Sequence, residues 1–274
     1  MQFDVELVGK IGSMALIRKT DHMIDYNLFA RLSEELRPGY VWVSSGAAEI
    51  GRLDYIRRTG RELSGSDEEI KTDYAAQGQS ILMETYRRFV DPKYSLRQVL
   101  VEHQHFNDEQ KREHLRALLL RATREDAIPI INYNDAVSQE ECRKMEIRSL
   151  TKDHDKVVEC VDNDETAAQV ALLLRARNLI IFTSVDGIYR DPHDAKTLIP
   201  EITAPDAQSL TKKIEEYKTY CEGASRKGAN GAKAKLEYIK EAAANGTKVF
   251  IANACYRIQD VLSGKAPCTY VALQ

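Results

Sequence analysis

Two regions, far apart in the chain, combine glycine with lysine in the way that proteins use to bind phosphate groups. Lys10 follows an apolar run and precedes Gly12-Ser13, and a glycine-containing loop at residues 228–232 precedes Lys233 and Lys235. Glycine lets a ligand approach the backbone, and lysines beside a helix start attract phosphate oxygens. The spacing is not that of a P-loop. We therefore predict a phosphate site of another kind, with a surface lysine beside a turn glycine as the alternative for Lys10.

Small and polar residues follow other apolar runs and could hold an acidic substrate. Serine hydroxyls and backbone N–H groups can bind an anion, while carboxamides and a carboxylate can fix a polar substrate or a hydrated magnesium ion. The start of a helix attracts an anion as well, and an aspartate there could hold a lysine in place. Ordinary turns and a helix N-cap are the alternatives. The candidates are Ser45, Gly46, Ala47, Asn134, Asp135, Asn163 and Asp164.

Short apolar runs separated by longer segments with helical spacing must position these residues. The runs are Phe3–Val8, Tyr40–Val43, Gln98–Val101, Ile128–Ile131, Leu179–Thr183 and Lys248–Ile251. Several are rich in Val and Ile, which suits strands that are buried on both faces. The alternation predicts an α/β fold with a mostly parallel central sheet sandwiched between helices. Because ligands of such sheets bind beyond the carboxyl ends of the strands, the loops after the runs are the expected site.

Local signals predict where several helices begin and end. Ser66 with Glu69, and Asn107 with Gln110, resemble capping boxes, and Asn245-Gly246 is a plausible helix stop. The segment Ser138–Cys160 is dense in charge and poor in apolar periodicity. It is interpreted either as a solvated surface excursion or as a lid or interface element beside the site.

Composition excludes several classes of protein. The 274 residues carry 39 basic and 42 acidic side chains, a net charge of −3, which argues against a general binder of nucleic acid or of anionic membranes. No run of 18 apolar residues is present, and the N-terminal 20 residues do not resemble a signal peptide. The five cysteines form no C-x-x-C pair, so we expect reduced thiols, no metal site built by the protein and a cytoplasmic location.

Taken in order along the chain, the motifs resemble those of the glutamate 5-kinase family within the amino-acid kinase superfamily. The similar segments are Lys10-Ile11-Gly12-Ser13, Ser45-Gly46-Ala47, Ala75-Ala76-Gln77-Gly78-Gln79, Pro129–Val137 with Asn132-Tyr133-Asn134-Asp135, Asp162-Asn163-Asp164, Val185-Asp186-Gly187-Ile188-Tyr189 and Lys235-Leu236-Glu237. The similarity runs from about residue 4 to the C-terminus. It implies one amino-acid kinase domain over residues 1–274, without the family's C-terminal RNA-binding-like domain. The N-terminal part would bind substrate, and the part from about residue 177 would bind nucleotide.

The resemblance also implies an activity and a role for each candidate residue. The activity is phosphorylation of the glutamate γ-carboxylate by ATP with Mg²⁺, the first step of proline biosynthesis. Lys10 and Lys235 would neutralise charge on the transferred phosphoryl group, and Asp164 would hold both lysines. The acid would contact Ser45, Gly46, Ala47, Asn134, Asp135 and Asn163. The nucleotide would contact Lys10, Gly12, Ser13, Thr183, Ser184, Ala229, Asn230, Gly231, Lys233 and Lys235.

This chemistry needs few protein groups, because a carboxylate is ionised near neutral pH and requires no general base. The family implies a homo-oligomer, a dimer or tetramer. Two other functions stay open at this point. The long charged segment at 138–160 is compatible with a kinase of the same fold that acts on another small carboxylate. The glycine loop at 228–232, which departs from the family's usual residues, is compatible with a nucleotide-binding regulatory protein without turnover.

Overall fold

Strands and helices alternate along the chain. The computed structural model describes residues 2–154, 156–160, 162–191, 193–221 and 231–274. Its strands are β1 (Val5–Ile11), β2 (Tyr40–Ser44), β3 (Ser95–Val101), β4 (Ala127–Tyr133), β5 (Ala176–Thr183), β6 (Glu201–Ala204), β7 (Lys248–Asn253) and β8 (Cys268–Leu273). Four strand pairs, β1–β5, β3–β4, β5–β7 and β6–β8, are parallel, and β7–β8 is antiparallel. Helices separate most of the strands, so the predicted α/β class is confirmed.

The α-helices differ widely in length. They are α1 (Tyr26–Glu35), α2 (Ala47–Thr59), α3 (Asp67–Phe89), α4 (Gln104–Asn107), α5 (Glu109–Arg124), α6 (Glu140–Asp153), α7 (Asn163–Leu173), α8 (Ala207–Lys218), α9 (Gly231–Ala244) and α10 (Ile258–Leu262). Searched over the described ranges, none of them is both long and apolar enough to cross a lipid bilayer.

The chain divides into two compact units that interleave in sequence. The first unit comprises the described residues of Met1–Ile11, Gly39–Val43 and Asp164–Gln274, and the second comprises those of Gly12–Pro38 and Ser44–Asn163. The first unit thus contains residues from both ends of the chain.

The strands of the first unit lie in the order β2-β1-β5-β7-β8-β6. The pairs β1–β5, β5–β7 and β6–β8 are parallel, while β7 and β8 are antiparallel. Helices α8 and α9 pack against each other and on this sheet, α8 on β6 and α9 on β7 and β8. Because successive side chains of a strand point to opposite faces, the unbroken burial of β2 shows that both faces are covered.

A close contact with Trp42 explains the glycine that precedes Lys10. A Cβ atom at Gly9 would lie 2.0 Å from Cζ3 of Trp42, so only glycine leaves room for the buried indole. Trp42 also packs against Phe182, with ring centroids 6.1 Å apart. The end of β1, and with it the backbone of Lys10, is therefore held in a tightly packed core.

In the second unit, β3 pairs parallel with β4, and α5 packs on β4. Helices α2 and α3 approach each other unusually closely at two glycines. A Cβ atom at Gly51 would lie 1.9 Å from the carbonyl oxygen of Tyr74, and one at Gly78 would lie 1.9 Å from that of Ala47. The A-A-x-G-Q segment thus places glycine where two backbones meet.

Two of the three predicted helix boundaries are confirmed. Ser66 and Glu69 form the predicted capping box at the start of α3, and α9 ends just before Asn245-Gly246, where Gly246 has φ +90°. The capping box predicted at Asn107 is wrong. Asp108, one residue later, caps α5 by accepting a hydrogen bond from the Lys111 N–H. Asn107 is the last residue of α4 and donates to the carbonyl of His103 instead.

The charged segment after β4 contains a helix that its weak apolar periodicity did not predict. Helix α6 buries Ile147, and most of its side chains are exposed. Its polar contacts include an ion pair between Lys144 and Glu140 one turn away and a hydrogen bond between Glu146 and His103, whose side chain is buried.

The strands match the apolar runs with shifted bounds, and two strands escaped prediction. The first strand was expected at Phe3–Val8 but spans Val5–Ile11, which places Lys10 inside β1 rather than after it. The missed strands are β6, which has only four residues, and β8, in which polar and apolar residues are mixed. Both β6 and β8 form because they pair with neighbouring strands, and not because their own residues make a long apolar run.

Candidate active site

In the first unit, two lysine side chains converge on one carboxylate. The Nζ atom of Lys10 lies 2.6 Å from Oδ1 of Asp164, and the Nζ atom of Lys235 lies 2.5 Å from Oδ2. Each ammonium group therefore binds a different oxygen of the same side chain. Three residues from distant parts of the sequence form one cluster, which we call the lysine–aspartate cluster.

The lysine–aspartate cluster is largely shielded from water. The side chain of Asp164 is 3% exposed, that of Lys10 is 10% exposed and that of Lys235 is 22% exposed. Burial by itself would raise the pKa of the Asp164 carboxyl, but the two adjacent ammonium groups outweigh it and the net pKa lies below the usual value for aspartate. With Asp164 ionised and both lysines charged, the cluster carries one net positive charge, which favours binding of an anion.

Three elements supply the members of the cluster. Lys10 pairs in register with Ile181 of β5 near the end of β1, Asp164 is the second residue of α7, and Lys235 lies near the beginning of α9. Helix N-termini carry partial positive charge, so α7 favours the ionised form of Asp164. The start of α9 adds to the positive potential around Lys235.

The other predicted nucleotide contacts of the first unit lie in loops or at a helix start. Thr183 ends β5, and its hydroxyl accepts a hydrogen bond from the Val185 N–H. The carbonyl of Ser184 accepts a hydrogen bond from the Asn253 side chain. Gly231 begins α9 with φ +59°, and Lys233 follows it in an exposed position. Ala229 and Asn230 lie outside the described residues.

Two other predicted nucleotide contacts, Gly12 and Ser13, belong to the second unit. Gly12 has an extended backbone, with φ −81° and ψ 151°, and precedes a short 3-10 turn at Ser13–Ala15. The Ala15 N–H donates to the Gly12 carbonyl and closes this turn.

A chain of polar side chains crosses the second unit at the end of β4. Nδ2 of Asn163 donates both to Oγ of Ser45 and to Oδ1 of Asn132, each at 2.9 Å. Nδ2 of Asn132 in turn donates to Oε1 of Gln79 at 2.9 Å. The structure thus joins two predicted substrate residues, Ser45 and Asn163, through direct hydrogen bonding, and it extends the group by Asn132 and Gln79. We call these four residues the amide chain.

Asn132 and Gln79 had no predicted role, although both fall within motifs that the sequence had singled out. Asn132 is the first residue of Asn132-Tyr133-Asn134-Asp135, and Gln79 is the last residue of the A-A-x-G-Q segment. The motifs therefore pointed to both residues. Nothing in the sequence indicated that their side chains, 53 positions apart, form a hydrogen bond.

The remaining predicted substrate residues have other partners. Nδ2 of Asn134 donates to Oε1 of Glu102 at 2.9 Å, and Oδ1 of Asp135 accepts from Nζ of Lys71 at 2.8 Å. Among the described residues, no direct hydrogen bond therefore joins either of them to the amide chain. Their positions are set by the end of β3 and by the first turns of α3 instead.

Gly46 and Ala47 shape the backbone beside Ser45. Gly46 directly precedes α2 and has φ +106°, a backbone conformation that residues with a side chain rarely adopt. A Cβ atom there would lie 2.8 Å from Cδ1 of Leu16. Ala47 is buried at the start of α2. Small residues are therefore required at this turn for packing.

Comparison with known proteins gives a consistent result. The model of the amino acid kinase family matches residues 7–253. A glutamate 5-kinase of Alkaliphilus metalliredigens is 30% identical over 256 residues, which cover 90% of this chain and 87% of the relative. A glutamate 5-kinase of Bacillus cereus (strain G9842) is 32% identical over 283 residues, which cover 97% of this chain and 68% of the relative.

A solved structure supports the fold independently of sequence. The UMP kinase of Bacillus anthracis superposes with a TM-score of 0.55 at 11% identity, and the match covers 97% of this chain and 95% of the other. Such a low identity shows a shared fold and nothing about the substrate.

The family match and the named relatives together define a phosphotransferase, and the structure shows that its fold is of the α/β class. The chain belongs to the amino acid kinase family and, within it, to the glutamate 5-kinase family. The resemblance inferred from the motifs is thereby confirmed.

Proposed function

We propose that the protein transfers the γ-phosphoryl group of ATP to the γ-carboxylate of glutamate. A carboxylate oxygen forms a bond to the γ-phosphorus while the bond from that phosphorus to the ADP oxygen breaks, which yields glutamyl 5-phosphate and ADP. The observation that carries the proposal is the lysine–aspartate cluster, in which Lys10 and Lys235 are held on Asp164. The names of the relatives support glutamate as the acid.

The proposed roles follow from charge. The attacking carboxylate is already ionised, so catalysis requires two anions to be aligned and the charge on the transferred phosphoryl oxygens to be stabilised. Lys10 and Lys235 supply preorganised positive charge for this purpose. Asp164 positions both ammonium groups, and it is a poor base because its pKa is lowered.

The acid is proposed to bind in the second unit at Ser45, Gly46, Ala47, Asn134, Asp135 and Asn163. The hydrogen bond between Asn163 and Ser45 supports this assignment, since it links two of the candidates that are 118 positions apart in sequence. The turn at Gly46 supports it as well, because it leads into the N-terminus of α2, where backbone N–H groups attract a carboxylate.

The nucleotide is proposed to contact Lys10, Gly12, Ser13, Thr183, Ser184, Ala229, Asn230, Gly231, Lys233 and Lys235. In this proposal one kinase domain spans the chain, and the part from about residue 177 serves the nucleotide. Bound Mg²⁺ supplies further neutralisation of phosphate charge. In the part of the chain that the structure describes, no group of three or more His, Cys, Asp or Glu side chains is arranged to hold a metal ion. We propose phosphate oxygens of the nucleotide as ligands of magnesium, because this ion is commonly bound through substrate phosphates.

In the cell, the proposed reaction is the first step of proline biosynthesis, and its proposed location is the cytoplasm. The partners are small molecules and further copies of the same chain, in a dimer or tetramer, rather than nucleic acid or membrane. The near-neutral charge balance of 39 basic and 42 acidic residues supports this choice of partners.

The experiment that tests the proposal measures ADP release and traps any acyl phosphate as a hydroxamate. Glutamate, aspartate, carbamate and N-acetylglutamate are compared, with a reaction lacking any acid as the background control. We expect ADP release and hydroxamate with glutamate at the highest kcat/KM. Strict preference for another acid, or ATP binding without acyl phosphate from any acid, would contradict the proposal.

A further inference from the structure

One backbone N–H group determines the orientation of the whole amide chain. The N–H of Tyr133 donates to Oδ1 of Asn132 at 2.9 Å. A backbone N–H can only donate, so the atom of Asn132 that receives it must be the oxygen. The other end of that amide, Nδ2, must then donate, and its acceptor is Oε1 of Gln79.

This orientation leaves a donor at one end of the amide chain. With Oε1 of Gln79 committed to Asn132, the Nε2 group of Gln79 faces away from that bond. The Nε2 atom is buried and has no hydrogen-bond partner among the described residues. A buried donor without an acceptor costs about 1–3 kcal/mol, so this group is expected to have a partner when the site is in use.

An acceptor is left in the same way at the next amide. Nδ2 of Asn163 donates to both Asn132 and Ser45, which fixes the amide with Oδ1 directed elsewhere. That Oδ1 atom is buried, and within the described ranges no donor reaches it. The amide chain thus has one donor and one acceptor without a partner among the described residues. The Tyr133 N–H fixes which amide atoms are oxygen and which are nitrogen, so the donor and the acceptor cannot be exchanged by flipping the amides.

We propose that Gln79 is a specificity-determining residue that donates from Nε2 to the α-carboxylate of the substrate. An α-amino acid carries this group, and an ω-amino acid such as 4-aminobutyrate lacks it. The proposal rests on the proposed function, because it assigns the recognition of the acid that the kinase phosphorylates.

The substitution Gln79→Glu isolates the donor. Glutamate has the shape of glutamine and keeps an oxygen to accept from Asn132, but it replaces Nε2 with an anionic oxygen that repels a carboxylate. We expect KM for glutamate to rise by about tenfold or more, since a lost hydrogen bond to a charged group is usually that strong, with a smaller change in kcat. The matched control is Gln110→Glu on the exposed surface of α5, which should leave KM unchanged.

Two truncated ligands separate recognition from general damage to the site. As competitive inhibitors, 4-aminobutyrate lacks the α-carboxylate and glutarate lacks the ammonium group. In Gln79→Glu the inhibition constant of glutarate should rise by the same factor as KM for glutamate, whereas that of 4-aminobutyrate should not rise. Equal losses for both inhibitors, or a KM within twofold of the wild-type value, would overturn the role of Gln79.

The unaltered protein provides a test that does not depend on how the variant folds. Wild type should bind 4-aminobutyrate at least tenfold more weakly than glutamate, measured by inhibition or by titration calorimetry. Comparable binding of the two would overturn the inference while leaving glutamate phosphorylation intact. Absence of acyl phosphate from glutamate with the wild-type protein would instead overturn the proposed function itself.

Discussion

The Nζ atom of Lys235 lies 2.5 Å from a carboxylate oxygen of Asp164, although 71 residues separate the two along the chain. Lys10 binds the other oxygen of the same carboxylate. The charge of Asp164 offsets that of one lysine, so the three side chains together carry one positive charge. The cluster can therefore attract an anion, and each ammonium group still has a counter-charge.

Removal of either lysine should impair catalysis more than folding. Lys10→Ala and Lys235→Ala are each expected to lower kcat by about 10²-fold or more, because each variant loses one preorganised charge beside the transferred phosphoryl group. Turnover is measured by coupled ADP release, and circular dichroism checks the fold. Lys248→Ala, at an exposed position at the start of β7, is the matched control and should retain full activity. Unchanged turnover in both active-site variants would remove their assigned roles.

Loss of the carboxylate charge should destabilise the protein. Asp164→Asn keeps the shape of the side chain but leaves Lys10 and Lys235 close together without a counter-charge. We expect the free energy of unfolding to fall by about 3–5 kcal/mol, the usual cost of removing one partner from a buried ion pair. Urea unfolding at pH 7 measures it. Asp21→Asn, which removes an exposed partner of Arg18, is the control and should leave the free energy of unfolding nearly unchanged. Equal costs for the two substitutions would contradict the importance of burial.

The stabilising effect of Asp164 should depend on pH in a defined direction. Its pKa is lowered in the folded protein, so its contribution is fully present above the pKa of an unfolded aspartate, about 3.9, and is lost as the pH falls through the lower folded-state value. The difference in unfolding free energy between wild type and Asp164→Asn should therefore be constant from pH 7 to about pH 5 and shrink below about pH 4. Urea titrations at several pH values provide the measurement. A difference that grows on acidification would mean that the pKa is raised instead.

The contact between α2 and α3 should tolerate no side chain at Gly78. A Cβ atom there would lie 1.9 Å from the Ala47 carbonyl oxygen and 2.5 Å from the Gly51 nitrogen, so Gly78→Ala must push the helices apart. We expect a loss of stability of about 1–3 kcal/mol, as for other overpacked sites. We also expect a higher KM for the acid, because the next residue is Gln79. Thermal unfolding and acid-dependent kinetics test this.

A substitution on the exposed face of the same helix provides the comparison for Gly78→Ala. Ala76→Ser changes one residue of α3 at an exposed position. It should alter neither Tm nor KM measurably. If Gly78→Ala behaved like Ala76→Ser, the close approach of the helices would not be essential to the site.

The sequence determined the features that depend on nearby residues. Short apolar runs identified six of the strands. In strands such as β2 and β4 the reason is that burial on both faces selects a continuous apolar run. Ser66 and Glu69 formed the expected capping box because both hydrogen bonds close within one helical turn. The sequence predicted Asn107 as the cap of α5, whereas the cap is its neighbour Asp108. The error of one residue arose because aspartate and asparagine are both good caps.

Motif order indicated the family and drew attention to Lys10, Asp164 and Lys235, but only the tertiary structure decided which atoms meet. It placed both ammonium groups on opposite oxygens of Asp164, paired Asp135 with Lys71, and joined Gln79 to Asn132 across 53 positions. It also revealed β6 and β8 and the helix in the charged segment. The physical reason is that such contacts depend on the packing of whole elements, whose positions are set by many weak interactions spread over the chain. A capping box or an apolar run, by contrast, is encoded in a few adjacent residues.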